Sequence, residues 1–174
     1  MKKYYIGIDP GTRGYISIID KDGKFIESFP LMKDIKNIDV VEISNTLFNL
    51  SKYEDNCHVI IENIHAIFGS SAKGTFNFGF IAGLIEGIIA TIGLPYTKIN
   101  PKIWQKEMFR GINVVTKLST TGKTQVIDTK KMSFLASHRI FPSVNLKRTN
   151  KCKNEDDNFS DSLLMAEYGR RMNF

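Results

Sequence analysis

Four carboxylate side chains stand where acidic residues can do chemistry. Asp9 ends a run that alternates like a β-strand and precedes a glycine turn, and Glu62 ends the apolar run 59–61. Asp157 and Asp161 are four residues apart at the start of a predicted helix, so they share one face. Each also has a structural interpretation, because a strand-end acid commonly forms a turn and acids in a first helical turn offset the helix dipole.

Taken as one cluster, these side chains predict a divalent-metal site. Carboxylates about 4 Å apart repel by about 4 kcal/mol at an effective dielectric of about 20, so a cluster needs a cation or shifted pKa values. Oxygen ligands without His or Cys suit Mg²⁺, with Mn²⁺ as a substitute. Two such ions can activate a water and stabilise the leaving oxygen of a phosphodiester. The sequence therefore favours phosphodiester hydrolysis, provided that the four side chains converge.

Composition and charge narrow the class of protein. A length of 174 residues fits a single domain over 1–174. The hydrophobic share of 42% and the charged share of 24% exclude a disordered or fibrous chain. Net charge is +6, and residues 95–153 hold thirteen Lys and Arg but two acids. Such a segment fits a polyanionic partner or a solvated surface, and charge alone leaves both open.

Cysteine usage and the N-terminus bear on the compartment. Cys57 and Cys152 form neither a CxxC motif nor a Cys/His cluster, which argues against a zinc module and a disulfide scaffold. Residues 1–10 begin basic, but Asp9 and Pro10 interrupt them before any long apolar stretch. We therefore expect no secretion signal and a reducing, cytoplasmic location.

The elements that must position the four acids can be predicted from periodicity. Alternating and β-branched runs predict an antiparallel meander over 3–9, 15–20 and 24–29, and the apolar run 58–62 predicts a central strand. Helical spacing and capping residues predict helices over 39–50, 101–108, 129–140 and 158–172. The polar segment 110–128 is predicted to be a mobile loop, and 143–156 a linker.

The apolar segment 76–94 carries Gly79, Gly83 and Gly87 four residues apart. Its length would suffice for a membrane span, but Glu86 lies in its middle. We favour a buried helix whose glycines permit close approach of another helix, in the core or across a dimer.

Three motifs follow one another along the chain: 6–12 (IGIDPGT), 59–62 (VIIE) and 157–166 (DNFSDSLLMA). In order and spacing they resemble the RuvC-type Holliday junction resolvases, and look closest to the phage-type branch. The likeness spans nearly the whole chain. It implies an α/β fold of the ribonuclease H-like type, with a five-stranded mixed β-sheet flanked by α-helices. It also implies a homodimer and metal-dependent, paired symmetric nicking of four-way DNA junctions.

The resemblance further implies which residues hold the metal ions. By motif position these are Asp9, Glu62, Asp157 and Asp161, with two Mg²⁺ ions at each site. The spacing of four between the last two acids departs from the spacing of three in the bacterial enzymes. Because Asp156 precedes Asp157, the choice of third ligand between these two stays open.

Contacts with DNA are implied in the same way. A lysine near the scissile phosphate corresponds to Lys131 or Lys130, and we prefer Lys131 for that catalytic role. His65 and Phe68 lie in the loop where relatives present an aromatic ring that stacks on junction bases. Basic residues expected to contact phosphates are Lys73, Lys102, Lys106 and Lys130. Each lysine can also be interpreted as an ordinary surface residue. Trp104 is predicted to lie in the core.

Other functions remain open at this point. A nuclease of the same fold could act on flaps, forks or RNA–DNA hybrids, and a non-catalytic protein could bind junctions without cutting them. Residues 9–12 also resemble the first phosphate loop of actin-like ATPases and sugar kinases, which need two such domains around a nucleotide. The expected partners are branched DNA and a second copy of the chain, with no membrane and no nucleotide cofactor.

Overall fold

The computed structural model describes residues 3–34, 36–63 and 71–174. A five-stranded mixed sheet in the order β3-β2-β1-β4-β5 forms its centre. β1 pairs antiparallel with β2, and β2 with β3, whereas β1 and β5 both pair parallel with β4. The strands are β1 (Tyr4–Asp9), β2 (Tyr15–Asp20), β3 (Phe25–Pro30), β4 (Cys57–Glu62) and β5 (Tyr96–Ile99).

Helices cover both faces of this sheet. One face carries α1 (Val40–Phe48), which continues as the 3₁₀ helix Asn49–Asn56, and α2 (Ala72–Thr91). The other carries α3 (Pro101–Met108), α4 (Thr129–Ile140) and α5 (Asp157–Met172). The predicted fold class, a five-stranded mixed sheet flanked by helices, is confirmed.

The alternation read along β1 explains why the protein has two cores. Ile6 and Ile8 are buried against α1 and α2, whereas Tyr5 is buried against α5. Successive side chains of a strand point to opposite faces, so a strand covered on both sides is apolar on both. β1 and β4 lie in the middle of the sheet and are buried in this way.

Gly7 permits the close packing of α5 on β1. A Cβ atom at this position would lie 1.9 Å from the carbonyl oxygen of Ser162 and 2.6 Å from the backbone nitrogen of Ala166. Small residues on α5 keep the contact tight, and the Ser162 hydroxyl lies 2.7 Å from that of Ser17 on β2. The strand that ends in Asp9 and the helix that begins with Asp157 are thereby fixed against each other.

Most of α2 is not buried in the core of the single chain, and burial across a dimer, the other alternative, stays a prediction. Only Ile81, Ile85 and Ile89 of this helix are buried, and they face the sheet. The glycine stripe points the other way: a Cβ built on any of Gly79, Gly83 and Gly87 would meet nothing within 4 Å. By length and composition alone α2 could also cross a membrane, since its 20 residues include an 18-residue window of mean hydropathy 1.3.

Segment 110–128, expected to be a loop, contains a short antiparallel hairpin of β6 (Thr116–Leu118) and β7 (Gln125–Ile127). Gly122 supplies the positive φ of 69° in its turn, and the Ser119 N–H donates to the Thr124 carbonyl oxygen at 2.8 Å. The polar turn residues concealed two strands of three residues each, in which Thr116, Val126 and Ile127 are β-branched. Mobility of the segment stays a prediction.

Candidate metal centre

Parallel pairing of β1 with β4 sets Asp9 beside Glu62. The register joins Ile8 to Ile61, and the two acids are the next residues along each strand. Carboxyl ends of parallel strands meet at one edge of a sheet, so both acids lie at the same edge. Strand alternation places Glu62 on the face of Ile60, which α5 covers.

The start of α5 supplies the other two acids. Asp156 caps the helix, because its side chain accepts a hydrogen bond from the Asn158 N–H at 3.0 Å. Asp157 is then the first helical residue, and Asp161 lies one turn further along the same face.

The charges of the four carboxylates act on one another across the site. Burial raises the pKa of Asp9 well above its usual value, and the negative charges of Asp161, Glu62 and Asp157 raise it further. Burial likewise raises the pKa of Asp161 to about 7, with contributions from Glu62 and Asp157. The four acids, scattered over more than 150 positions of the chain, therefore lie near enough to interact electrostatically, and we refer to them as the carboxylate cluster.

Glu62 is held by a neighbour that the sequence assigned to the core. Burial raises the pKa of Glu62, and a hydrogen bond from the Trp104 indole to Glu62 Oε1, at 3.2 Å, opposes that rise. Trp104 is fully buried on α3, as predicted. Its contact with Glu62 was missed, although a buried indole N–H needs an acceptor and so provided a signal.

The structure distinguishes Asp156 from Asp157. Asp156 is 3% exposed, and both of its oxygens are engaged: Oδ1 accepts from Asn158, and Oδ2 accepts from Arg148 Nε at 2.6 Å. Burial raises its pKa, but the hydrogen bonds from Arg148 and Asn158 outweigh that effect and lower it. Asp156 is thus a capping residue, and Asp157 is the acid that couples to both Asp9 and Asp161.

Of the two lysines that open α4, Lys130 contacts the cluster. Its ammonium pairs with Asp157 Oδ2, and its charge lowers the pKa of Asp161. Lys131 lies beside Asp128 and donates its backbone N–H to Asp128 Oδ1 at 3.3 Å. The pKa of Asp128 is lowered chiefly by a hydrogen bond from Lys117, with a smaller contribution from Lys131. The preference for Lys131 as the lysine near a scissile phosphate stays a prediction.

The remaining predicted DNA contacts are placed as follows. Lys102 and Lys106 are exposed one turn apart on α3, and Lys73 is exposed near the start of α2. His65 and Phe68 lie outside the described residues. Contacts of these side chains with DNA stay predictions.

The chemical type of the donor atoms in the cluster fits a hard divalent cation. All four side chains offer oxygen, and Asp161 Oδ1 is buried without a hydrogen-bond partner within the described ranges. The hydroxyl of Ser133 lies near Asp161 and lowers its pKa. Its oxygen is also buried and makes no hydrogen bond of ordinary geometry with any described residue. Across residues 3–34, 36–63 and 71–174, no three His, Cys, Asp or Glu side chains are already grouped closely enough to hold an ion.

Comparison with solved structures identifies the architecture. A structure of Thermus thermophilus RuvC, described as a complex with a Holliday junction substrate, matches with a TM-score of 0.61 and 14% identity, over 98% of this chain and 96% of that chain. Another T. thermophilus RuvC structure matches with a TM-score of 0.58 and 17% identity over the same shares. The chain has the RuvC fold. No protein-family model and no curated protein sequence matches it.

Proposed function

We propose that this protein is a metal-dependent endonuclease that resolves four-way DNA junctions by paired symmetric nicks. The proposal is supported by the electrostatic interaction of Asp9 and Asp161 with each other and with Glu62 and Asp157. The neighbouring carboxylates raise the pKa values of Asp9 and Asp161, which makes their ionised forms costly for the fold to keep, and a divalent cation would offset that cost. The RuvC fold and the basic segment 95–153 support DNA as the substrate. The phage-type assignment rests on the sequence motifs.

The side chains of the chain have separate tasks in this proposal. Asp9 and Glu62 present carboxylates from the rigid ends of two central strands, and Trp104 orients Glu62 through its indole N–H. Asp157 and Asp161 present theirs from the first turns of α5. Lys131, or Lys130 next to it on α4 and paired with Asp157, would contact the scissile phosphate. When bound, two Mg²⁺ or Mn²⁺ ions supply water activation and stabilisation of the leaving oxygen.

The test is cleavage of a synthetic four-way junction with each strand labelled in turn, in Mg²⁺ or Mn²⁺. We expect nicks at opposed positions of two strands, and a loss of about 1000-fold in rate for Asp9→Asn and Glu62→Gln, equivalent to about 4 kcal/mol of transition-state stabilisation. Asp22→Asn removes an exposed acid in the β2–β3 turn and serves as the matched control. Mn²⁺ should also raise the melting temperature of the wild type more than that of Asp9→Asn.

Two results would count against the proposal. A pure wild-type preparation that leaves junctions intact in both metals contradicts nuclease activity on this substrate. If the protein leaves four-way junctions intact but cuts flaps, forks or RNA–DNA hybrids efficiently, it is a nuclease with a different substrate.

We also propose that two copies pair through the outer face of α2. Phe76 and Phe80 are exposed there, 71% and 43% respectively, beside the open glycine stripe. A two-fold dimer would provide two carboxylate clusters for two opposed strands.

A further inference from the structure

A cleft of about 610 Å³ lies beside β3, between that edge strand and residues 143–148. None of the four clustered carboxylates lines it. Its walls include basic and aromatic side chains: Lys24, Phe25, Lys147, Arg148 and Phe159. The combination of cations and rings in a concave surface is what a nucleotide requires of a binding site.

The charge of this cleft is not neutralised from within. Its carboxylate, Glu27, already accepts from Lys52 Nζ at 2.8 Å and from the Tyr53 hydroxyl at 2.7 Å. No carboxylate in the described part of the chain forms an ion pair with Lys24 or Lys147. Two lysines therefore remain available to an anion.

Arg148 contributes a guanidinium that is fixed in place. Its Nε donates to Asp156 Oδ2 at 2.6 Å, its Nη2 donates to the carbonyl oxygen of Arg13, and its charge lies 5.1 Å from the ring centre of Tyr15. Its Nη1 is buried and, over the described residues, has no hydrogen-bond partner. The protein thus holds this cation rigidly and leaves one of its donor atoms unsatisfied.

The aromatic wall presents one accessible ring. Phe159 stacks on Tyr15, with centroids 4.7 Å apart and an interplanar angle of 8°, and Phe25 packs on Phe159 at 6.2 Å. Tyr15 and Phe159 are 3% and 4% exposed, whereas Phe25 is half-buried. Phe25 is therefore the ring that a base can contact.

We propose that this cleft binds one nucleotide unit, with its phosphate between Lys24, Lys147 and Arg148 and its base against Phe25. We take the source to be an unpaired DNA strand, and that choice rests on the proposed function. Arg148 holds Asp156, and Asp157 of the carboxylate cluster follows it directly. A strand in the cleft would therefore lie close to the site of cutting. A free nucleoside monophosphate offers the same chemistry, so the test includes it.

The primary test is fluorescence anisotropy with a labelled oligothymidine of ten nucleotides in EDTA. Lys24→Gln and Lys147→Gln should each weaken binding about fivefold and lower the slope of log affinity against log salt by about 0.7, since each removes one phosphate contact. Phe25→Leu should weaken binding without changing that slope. Lys21→Gln removes a lysine of the β2–β3 turn that pairs with Asp22 outside the cleft, so it is the matched control. Competition with thymidine monophosphate then compares the two sources.

A second measurement locates the site without mutation. Acetylation of lysines, read by mass spectrometry, should show Lys24 and Lys147 protected by the oligonucleotide and Lys21 unprotected. If neither lysine is protected, or if both cleft variants bind like Lys21→Gln, the inference is overturned. If thymidine monophosphate competes more tightly than the oligonucleotide, the ligand of the cleft is a free nucleotide and not a DNA strand. If the protein cleaves junctions but the cleft does not bind the oligonucleotide, only this inference is refuted. If the cleft binds the oligonucleotide but the protein does not cleave junctions, only the proposed function is refuted.

Discussion

Asp161 lies at the centre of the carboxylate cluster, and its protonation links the site to folding. Its pKa is raised to about 7 in the folded protein, chiefly by burial, from a usual value of 3.8. Between these two values the folded chain keeps a proton that the unfolded chain has released. Ionising this acid therefore costs folding free energy as the pH rises through that window.

We predict that Asp161→Asn removes this cost in metal-free protein. Because the amide does not titrate, the variant should gain stability relative to the wild type on going from pH 5 to pH 8, by on the order of 2 kcal/mol. Urea unfolding in EDTA at both pH values measures how the difference in stability between variant and wild type changes with pH, which cancels the titration of groups that do not interact with Asp161. Asp22→Asn should show no such gain. An equal offset between variant and wild type at the two pH values would contradict a buried, coupled Asp161.

At the scale of elements, the site depends on how closely α5 packs on β1. Gly7→Ala would place a methyl group against the backbone of Ser162 and Ala166, neither of which can turn away. We expect a loss of about 2–4 kcal/mol in unfolding free energy, because overpacking forces backbone movement. Junction cleavage should fall too, since α5 would move away from Asp9.

Gly79→Ala on α2 provides the opposite expectation. A Cβ at this position meets nothing within 4 Å, and alanine favours the helix by about 1 kcal/mol over glycine. Chemical denaturation of both variants tests the pair at a protein concentration low enough to keep the chain monomeric, because Gly79 lies on the proposed dimer face. A Gly7→Ala protein as stable as the wild type would show that α5 does not fix the cluster.

The sequence predicted those parts of the fold and site that depend on local periodicity. Alternation in β1 and the apolar run of β4 placed Asp9 and Glu62 at strand ends, and the i, i+4 spacing placed Asp157 with Asp161. It could not predict contacts made by long side chains, so the ion pair of Lys130 with Asp157 and the hydrogen bond from Trp104 to Glu62 were missed. Nor could it tell that α2 buries its isoleucines rather than its glycines, since both repeat every four residues.

The outer face of α2 gives a second prediction at this scale. Gly83→Asp would place a charge in the centre of the proposed dimer contact. Light scattering should give about twice 19.8 kDa for the wild type and 19.8 kDa for the variant. Val41→Asp, at a residue 67% exposed on α1, adds the same charge outside that face and should leave the dimer intact. If the wild type has the mass of a single chain, the proposed dimer is contradicted.

At the scale of the whole molecule, charge is divided between the two faces of the sheet. Segment 95–153, with its thirteen basic residues, contributes Trp104, Ala136, Phe141 and Leu146 to the core that α5 shares. Its helices α3 and α4 therefore bring the lysines to the face that carries the carboxylate cluster. The opposite face is covered by α1 and α2. A polyanion should thus approach from the side on which cutting is proposed.

Salt dependence of junction binding tests this asymmetry. Lys102 and Lys106 are exposed one turn apart on α3, which also holds Trp104 against Glu62. If each contacts a phosphate, Lys102→Gln and Lys106→Gln should each lower the slope of log affinity against log salt by about 0.9. Lys36→Gln, an exposed lysine shortly before α1, should leave the slope unchanged. Filter binding of a four-way junction in EDTA over a salt series gives these slopes. Equal slopes for all three variants would mean that the basic segment is a solvated surface, and that DNA reaches the carboxylates by another path.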